Sequence, residues 1–293
     1  MPKKSKRQKI RKAVIPVAGF GTRFLPATIA QPKEMLTVVD KPVIQYIVEE
    51  MAAAGIEEII FVTGRNKRAI EDHFDYSPEL EQSLRESHKP ELLNEVHRIS
   101  KLAKFVYVRQ SKMLGIANAL YMAKELIGDE PFAFSYGDDI IHARTPAIKQ
   151  LFDTYRRTRS TVTGTMKVSP DLAHRYGIMQ PLGRVTGKTF RIKSIIEKPK
   201  GSPPSLHFSP GRYVFTPDIF RYIEKTKPTI NGEVFLVESV NLLARRRPVY
   251  AHQMSGRYFD CGSKREYVKA NIYFALQHRE LRHDIRAYLR KPG

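Results

Sequence analysis

The sequence predicts an α/β fold built on a doubly wound, mostly parallel but mixed sheet. Two observations carry that reading. Short apolar runs alternate with amphipathic stretches along the first half of the chain, and a glycine-rich loop follows the first of those runs.

In order, Ala13 to Ala18 reads as a buried strand running into the glycine loop. Pro16 is awkward there, because proline cannot donate a ladder hydrogen bond. Pro42 to Ala54 reads as a helix: proline stands in the first turn, Val43, Ile44, Ile47, Val48 and Met51 share one face, and Gly55 ends it. Glu58 to Thr63 is the next strand, and a helix follows near Asn66 to Phe74. Residues 79–99 form a long polar helical excursion broken at Pro90. Phe105 to Arg109 is a third strand, Ile116 to Leu126 a helix and Pro131 to Tyr136 a fourth strand. Residues 145–159 look helical. Segments 161–168, 176–181 and 189–196 look like strands, with turns at Gly183 and Gly187. Helices are expected at 217–225, 234–245, 263–277 and 280–290.

The 293 residues suffice for a large core, and no linker composition divides them, so one domain is expected over 12–293, with a disordered basic tail at 1–11. No apolar run approaches the roughly 20 residues of a membrane span. The start carries charge without an apolar segment, so a secretory signal is not expected. The single cysteine, Cys261, allows no internal disulfide and fits a reducing cytoplasm. The net charge is +20, and seven of the 50 basic residues lie in the first 12 positions. Elsewhere the basic residues are scattered among acids, with no RRM, KH or zinc-finger signature, so nucleic acid is not expected as a partner. The nine histidines show no metal-ligand spacing.

Ligands of open α/β sheets bind at the carboxyl ends of the strands, so the loops there carry the chemistry. Gly19 and Gly21 let backbone N–H groups approach a phosphate closely, and Arg23 and Lys33 add positive charge suited to a triphosphate. The loop is not a dinucleotide fingerprint, since Phe24 stands where a third glycine belongs, and no Gly-Lys-Ser/Thr makes it a P-loop. Alone, a Gly-x-Gly is more often a structural turn; Arg23 and the Pro32-Lys33-Glu34 element make it specific.

The runs Ala13 to Arg23, Leu25-Pro26-Ala27-Thr28, Pro32-Lys33-Glu34-Met35-Leu36 and Val39-Asp40-Lys41-Pro42 resemble the bacterial UTP–glucose-1-phosphate uridylyltransferases. Val108-Arg109-Gln110, Gly128-Asp129-Glu130-Pro131, Glu197-Lys198-Pro199-Lys200, Gly211-Arg212-Tyr213 and Asp260-Cys261-Gly262 follow in family order, so the resemblance covers about residues 12–278. It implies a Rossmann-like nucleotidyltransferase fold and the transfer of a uridylyl group from UTP to glucose 1-phosphate. It also answers the Pro16 difficulty, since the family carries proline there.

The resemblance further implies that Ala18, Gly19, Gly21 and Thr22 hold the nucleotide, that Arg23 and Lys33 act on its phosphates, and that Mg²⁺ assists, held by Asp138 and Asp260. Taken alone, either aspartate reads equally well as a turn or cap residue, and Asp139 is a second choice that would point elsewhere. Gln110 and Gly115 would read the uracil, the amide offering both donor and acceptor. Glu197 would take sugar hydroxyls and Lys198 the sugar phosphate, with Tyr176 and Gly177 lining the sugar pocket and Gly211 and Arg212 backing it. Otherwise Arg212 is a plain surface arginine. A homo-oligomer, dimer or tetramer, is implied, with the C-terminal helical segment a candidate interface. Two departures stand out: Gly115-Ile116-Ala117-Asn118 replaces the usual Gly-Leu-Gly-His, and Gly232-Glu233-Val234-Phe235-Leu236-Val237-Glu238 replaces Gly-Glu-Ile-Gln-Leu-Thr-Asp. The rival readings are the same chemistry on dTTP or another sugar phosphate, a non-catalytic nucleotide binder, and nucleic-acid binding through the tail.

Overall fold

A computed structural model describes residues 9–290. A ten-stranded mixed sheet forms its centre. The strand Lys12–Pro16 lies between Glu58–Thr63 and Phe132–Ser135 and is parallel to both, and Lys104–Arg109 extends the parallel side beyond Glu58–Thr63. Beyond Phe132–Ser135 the sheet continues through Arg212–Phe215, Val162–Lys167, Tyr250–Gln253, Thr189–Glu197, Gly177–Pro181 and His207–Phe208, and most pairings there are antiparallel.

The sheet is wound on both faces, and the side-chain alternation of the strands accounts for it. Ala13, Ile15, Ile59 and Phe61 face one core, where the helices Val43–Ala54, Ala147–Thr158 and Lys264–Ala275 pack. Val14, Ile60, Val62, Phe132 and Phe134 face the other, covered by Gly115–Met122, Ile219–Lys225 and Leu236–Ala244. In the helix Val43–Ala54, Ile44, Ile47, Val48 and Met51 are completely buried, each worth roughly 1.5–3 kcal/mol of transfer free energy. Gly55 ends that helix at a φ of 94°, a left-handed conformation that a Cβ would oppose.

Pro16 is the last residue of its strand, and the next donor, Val17 N–H, reaches the carbonyl of Val62 at 2.9 Å. The missing N–H therefore falls where the chain leaves the sheet. Pro90 opens the helix Pro90–Ser100, separate from Pro78–Glu86, so the polar excursion is two helices. The helix expected over Ile116 to Leu126 is interrupted at Ala123.

The predicted tail needs a new boundary. Residues 1–8 lie outside the described residues, but Ile10 is buried in the core, Lys9 pairs with Glu57 and Arg11 with Glu130. One apolar side chain and two ion pairs tie down what composition alone marks as tail. Among the strands that went unpredicted are Asp139–His142, Arg212–Phe215, Tyr250–Gln253 and Arg257–Asp260. Each has only four residues, and too few alternate for a period-two pattern. Asp139–His142 and Arg257–Asp260 pair antiparallel as a small separate ribbon, which sets Asp260 opposite Asp139.

Candidate active site

The chain leaves Lys12–Pro16, builds the sheet to one side through Glu58–Thr63 and Lys104–Arg109, then returns to the other side with Phe132–Ser135. The strand order thus reverses between Lys12–Pro16 and Phe132–Ser135, where open α/β sheets leave a crevice. The loops after these two strands meet in it. A Cβ on Gly137 would lie 2.8 Å from Val17 Cγ1 and 3.2 Å from the Pro16 carbonyl, so only glycine permits the approach. The result is a cleft of about 610 Å³.

Its floor begins with the glycine loop. Gly21 has a φ of 71°, and a Cβ there would sit 3.0 Å from the Cβ of Lys33, so the glycine lets the Lys33 turn close against the loop. Thr28 Oγ1 donates to the Gly21 carbonyl at 2.9 Å and holds that closure. Lys33 Nζ reaches Asp138 Oδ2 at 2.5 Å. Burial pulls the Lys33 ammonium down, but Asp138 and then Glu34 carry it above the ordinary lysine value, so it stays charged. Glu34 is itself buried and pairs with buried Lys67 at 2.7 Å. That pair anchors the turn from below.

Burial would raise the Asp138 carboxyl, and Lys33 with Arg23 more than offsets it, leaving Asp138 below the usual carboxylate range. Asp260 arrives from the ribbon. The Cys261 N–H donates to the Asp138 carbonyl at 2.9 Å, and Gly262 N–H to Asp260 Oδ1 at 3.1 Å. A Cβ on Gly262 would lie 2.7 Å from Asp138 Oδ2 and 3.1 Å from Asp260 Oδ1, so the two carboxylates converge on one small space that glycine leaves open. Burial, and after it Asp138, push the Asp260 carboxyl upward against Arg23 and Arg175. Two like charges held this close repel, and a shared cation would relieve that repulsion. Mg²⁺ takes one or two carboxylates and completes its shell with water and phosphate oxygens, so the pair fits it. Among the described residues no group of three or more acidic, histidine or cysteine side chains is arranged to hold a metal ion.

Asp139 does not point elsewhere: it lines the cleft beneath Asp138 and accepts from Tyr258 Oη at 2.8 Å. Burial, then Asp138 and Asp260, push its carboxyl well above the ordinary range.

At one end of the cleft lies Gln110, buried, its N–H bonded to the Thr63 carbonyl at 2.8 Å. Gly115 follows at a φ of 87°, and a Cβ there would meet the Val234 carbonyl at 2.7 Å. The Val234 N–H donates to the Leu114 carbonyl at 2.8 Å, and the Ala117 N–H to the Val234 carbonyl at 3.2 Å. The two segments that depart from the family pattern are therefore in contact. At the other end, Tyr176, Gly177, Glu197 and Lys198 line the cleft together. The register sets Gly177 opposite Glu197, and a Cβ on Gly177 would come within 3.0 Å of Glu197 Oε2. Lys198 takes a φ of 46° and lies 3.8 Å from its neighbour's carboxylate, its side chain more than half exposed.

Gly211 and Arg212 are not in the cleft. Arg212 is completely buried, bonded to Glu50 at 2.8 Å and to the Asp139 carbonyl at 2.7 Å. Gly211, at a φ of 69°, packs under Tyr136, where a Cβ would come to 2.3 Å from the ring. Arg212 stands in a four-residue strand buried throughout, which a sequence motif cannot reveal. Ala18, Gly19, Gly21, Thr22, Arg23, Lys33, Gln110, Gly115, Asp138 and Asp260 do line it. Sequence reasoning missed Arg175, which lies 3.7 Å from Asp260, and Tyr258. Each adjoins or nears a residue that was singled out, and proximity to Tyr176 and Asp260 was the available signal.

Residues 12–276 match the family model described as nucleotidyl transferase. The chain is 50% identical over 276 residues to the UTP–glucose-1-phosphate uridylyltransferase of Bacillus subtilis (strain 168), covering 94% of each. It is 46% identical to the one from Staphylococcus haemolyticus, covering 98% of this chain and 99% of the relative. Among solved structures, a UTP-bound UGPase from Acinetobacter baumannii superposes with a TM-score of 0.90 at 35% identity, over 97% of this chain and all of that one. A UDP-glucose pyrophosphorylase complexed with UDP-glucose gives 0.84 at 36% identity, over 92% of this chain and 100% of the other. The crevice at the strand-order reversal, its glycine loop and its converging aspartates thus sit in a chain that belongs to the nucleotidyl transferase family and, within it, to the bacterial UTP–glucose-1-phosphate uridylyltransferases.

Proposed function

We propose that this chain transfers the uridylyl group of UTP to glucose 1-phosphate, giving UDP-glucose and pyrophosphate. The observation that carries the proposal is the convergence of Asp138 and Asp260 beside Lys33 and Arg23, in a cleft that Gln110 and the Glu197-Lys198 pair also line. One end of such a cleft suits a base, the other a phosphorylated sugar, and the middle the phosphates that react. Similar proteins solved with UTP and with UDP-glucose support these ligands for the cleft.

An oxygen of the sugar phosphate attacks the α-phosphorus of UTP, that P–O bond forms, and the bond to the β-phosphate oxygen breaks with pyrophosphate leaving. The attacking oxygen is already ionised near neutral pH, so no general base is required. The chain's task is positioning and charge neutralisation. The glycine loop presents N–H groups to the triphosphate, and Lys33 and Arg23 neutralise its oxygens. Lys198 holds the sugar phosphate in line, and Glu197 accepts from sugar hydroxyls. Asp138 and Asp260 would hold Mg²⁺, which when bound neutralises charge on phosphate oxygens at the reacting centre.

The same reading places the enzyme in the cytoplasm, with its one cysteine buried and unpaired, as a homo-oligomer. Among the described residues no helix is long and apolar enough to cross a membrane. The exposed Val268 and Ile272 on the helix Lys264–Ala275 suit a contact between copies. The decisive experiment is a pyrophosphate-release assay over a matrix of nucleoside triphosphates, dTTP among them, and sugar 1-phosphates. Mg²⁺-dependent release with UTP and glucose 1-phosphate is expected; a matrix with no productive pair would refute the proposal.

A further inference from the structure

Gln110 ends the strand edge of the cleft with a terminal amide, a group that can donate or accept and so is ambiguous as a base reader. The surroundings remove the ambiguity. Its Nε2 donates to the Gly115 carbonyl at 3.3 Å and to Asn118 Oδ1 at 2.8 Å. A backbone carbonyl can only accept, so the Gly115 contact decides which end of the Gln110 amide is nitrogen. Asn118 must then turn its own oxygen toward that nitrogen. Asn118 stands three residues beyond Gly115 on the helix Gly115–Met122, the spacing that puts both groups on one side. Both N–H groups of Gln110 are thereby committed, and Oε1 makes no hydrogen bond among the described residues.

We infer that Asn118 is a specificity-determining positioning residue, which holds the Gln110 amide so that only its oxygen faces the base. The inference rests on Gln110 serving the base end of the proposed reaction. An acceptor there matches the N3–H of uracil or thymine. It opposes cytosine, whose N3 carries a lone pair, because two acceptors face each other and neither is satisfied. Sites built to hydrogen-bond one group reject the analogue lacking it far more strongly than apolar pockets reject a change of size. Asn118 thus separates uracil-type bases from cytosine and leaves UTP and dTTP undistinguished. That is a different task from the approach that Gly115 allows. Asn118 occupies one of the positions at which this chain departs from the Gly-Leu-Gly-His pattern.

The test is equilibrium binding of UTP and CTP by calorimetry, on the wild type and on Asn118→Ala and Asn118→Asp, with turnover followed in parallel. The wild type is expected to bind UTP about a hundredfold or more tightly than CTP. In Asn118→Ala the Gln110 amide keeps only its longer, 3.3 Å contact to the Gly115 carbonyl, which holds it too weakly to stop it turning an N–H toward cytosine, and the ratio should fall by about tenfold or more. Asn118→Asp still presents an acceptor to Nε2 and should restore the preference. A ratio unchanged in a folded Asn118→Ala overturns the inference even if uridylyl transfer is intact. Absence of turnover together with the expected binding ratios sinks the proposed reaction and leaves the inference standing. The wild type gives a reading that needs no variant: both Gln110 side-chain amide protons should exchange more slowly than those of an exposed glutamine, and free exchange of either would overturn the assignment.

Discussion

Lys33 Nζ lies 2.5 Å from Asp138 Oδ2, joining the loop after the first strand to the loop after Phe132–Ser135 across the point where the strand order reverses. The contact keeps both groups charged, Asp138 below the carboxylate range and Lys33 above that of lysine. It pre-assembles a cation and an anion that the reaction would use separately, the one on phosphate and the other on metal. Asp138→Asn keeps the shape and removes the charge. Turnover with Mg²⁺ should fall at least about a hundredfold while the thermal unfolding curve stays near that of the wild type. Near-normal turnover would remove Asp138 from the metal site.

Lys198 and Gly177 frame the same end of the cleft by different means, one by charge and one by leaving room for Glu197. Lys198→Ala should raise KM for glucose 1-phosphate by about tenfold to a hundredfold, the worth of one hydrogen bond to a charged group, with KM for UTP little changed. Gly177→Ala, which brings a Cβ to 3.0 Å from Glu197 Oε2, should move the same constant in the same direction. Equal effects on both substrates, measured by steady-state kinetics, would contradict the division of the cleft.

Arg212 makes a prediction about stability. Its guanidinium and the Glu50 carboxylate are both buried, and removing one leaves the other without compensation. Arg212→Met should cost about 3–5 kcal/mol in urea unfolding, and the double variant with Glu50→Gln should recover part of that. A loss under about 1 kcal/mol would restore Arg212 to a role toward substrate.

Partly buried histidines contribute a pH dependence, and two of them show how. Burial lowers His73 from the ordinary imidazole value of 6.5, and burial with Lys188 and Arg157 lowers His252. His252 Nδ1 faces the hydroxyls of Thr154 and Thr189 at 3.0 and 2.9 Å. The unfolded chain therefore binds protons before the folded one does. The stability these groups contribute is present above pH 6.5 and is lost as pH falls through their lower folded values. Urea midpoints should drop between about pH 7 and pH 5, and His252→Gln should flatten the drop; a flat wild-type profile would count against it.

The sequence by itself determined the elements that span several turns or strand pleats. The helix Val43–Ala54 and the strand Glu58–Thr63 emerge with little change from their predicted limits, because burial of a repeating face and a glycine stop are local properties. It also singled out the glycine loop, since Gly19, Gly21, Arg23 and Lys33 lie within one short stretch, and all four line the cleft. Only the tertiary structure decided the rest. Asp260 meets Asp138 because two four-residue strands pair with Asp260 opposite Asp139, and strands so short carry no periodic signal of their own. Arg212 looked like a substrate residue and proved to be a buried prop, because one charged residue in an apolar run says nothing of whether Glu50 waits beside it. The donor-or-acceptor choice at Gln110 rests on Gly115 and Asn118 together, and an amide's orientation is set by the groups around it in space.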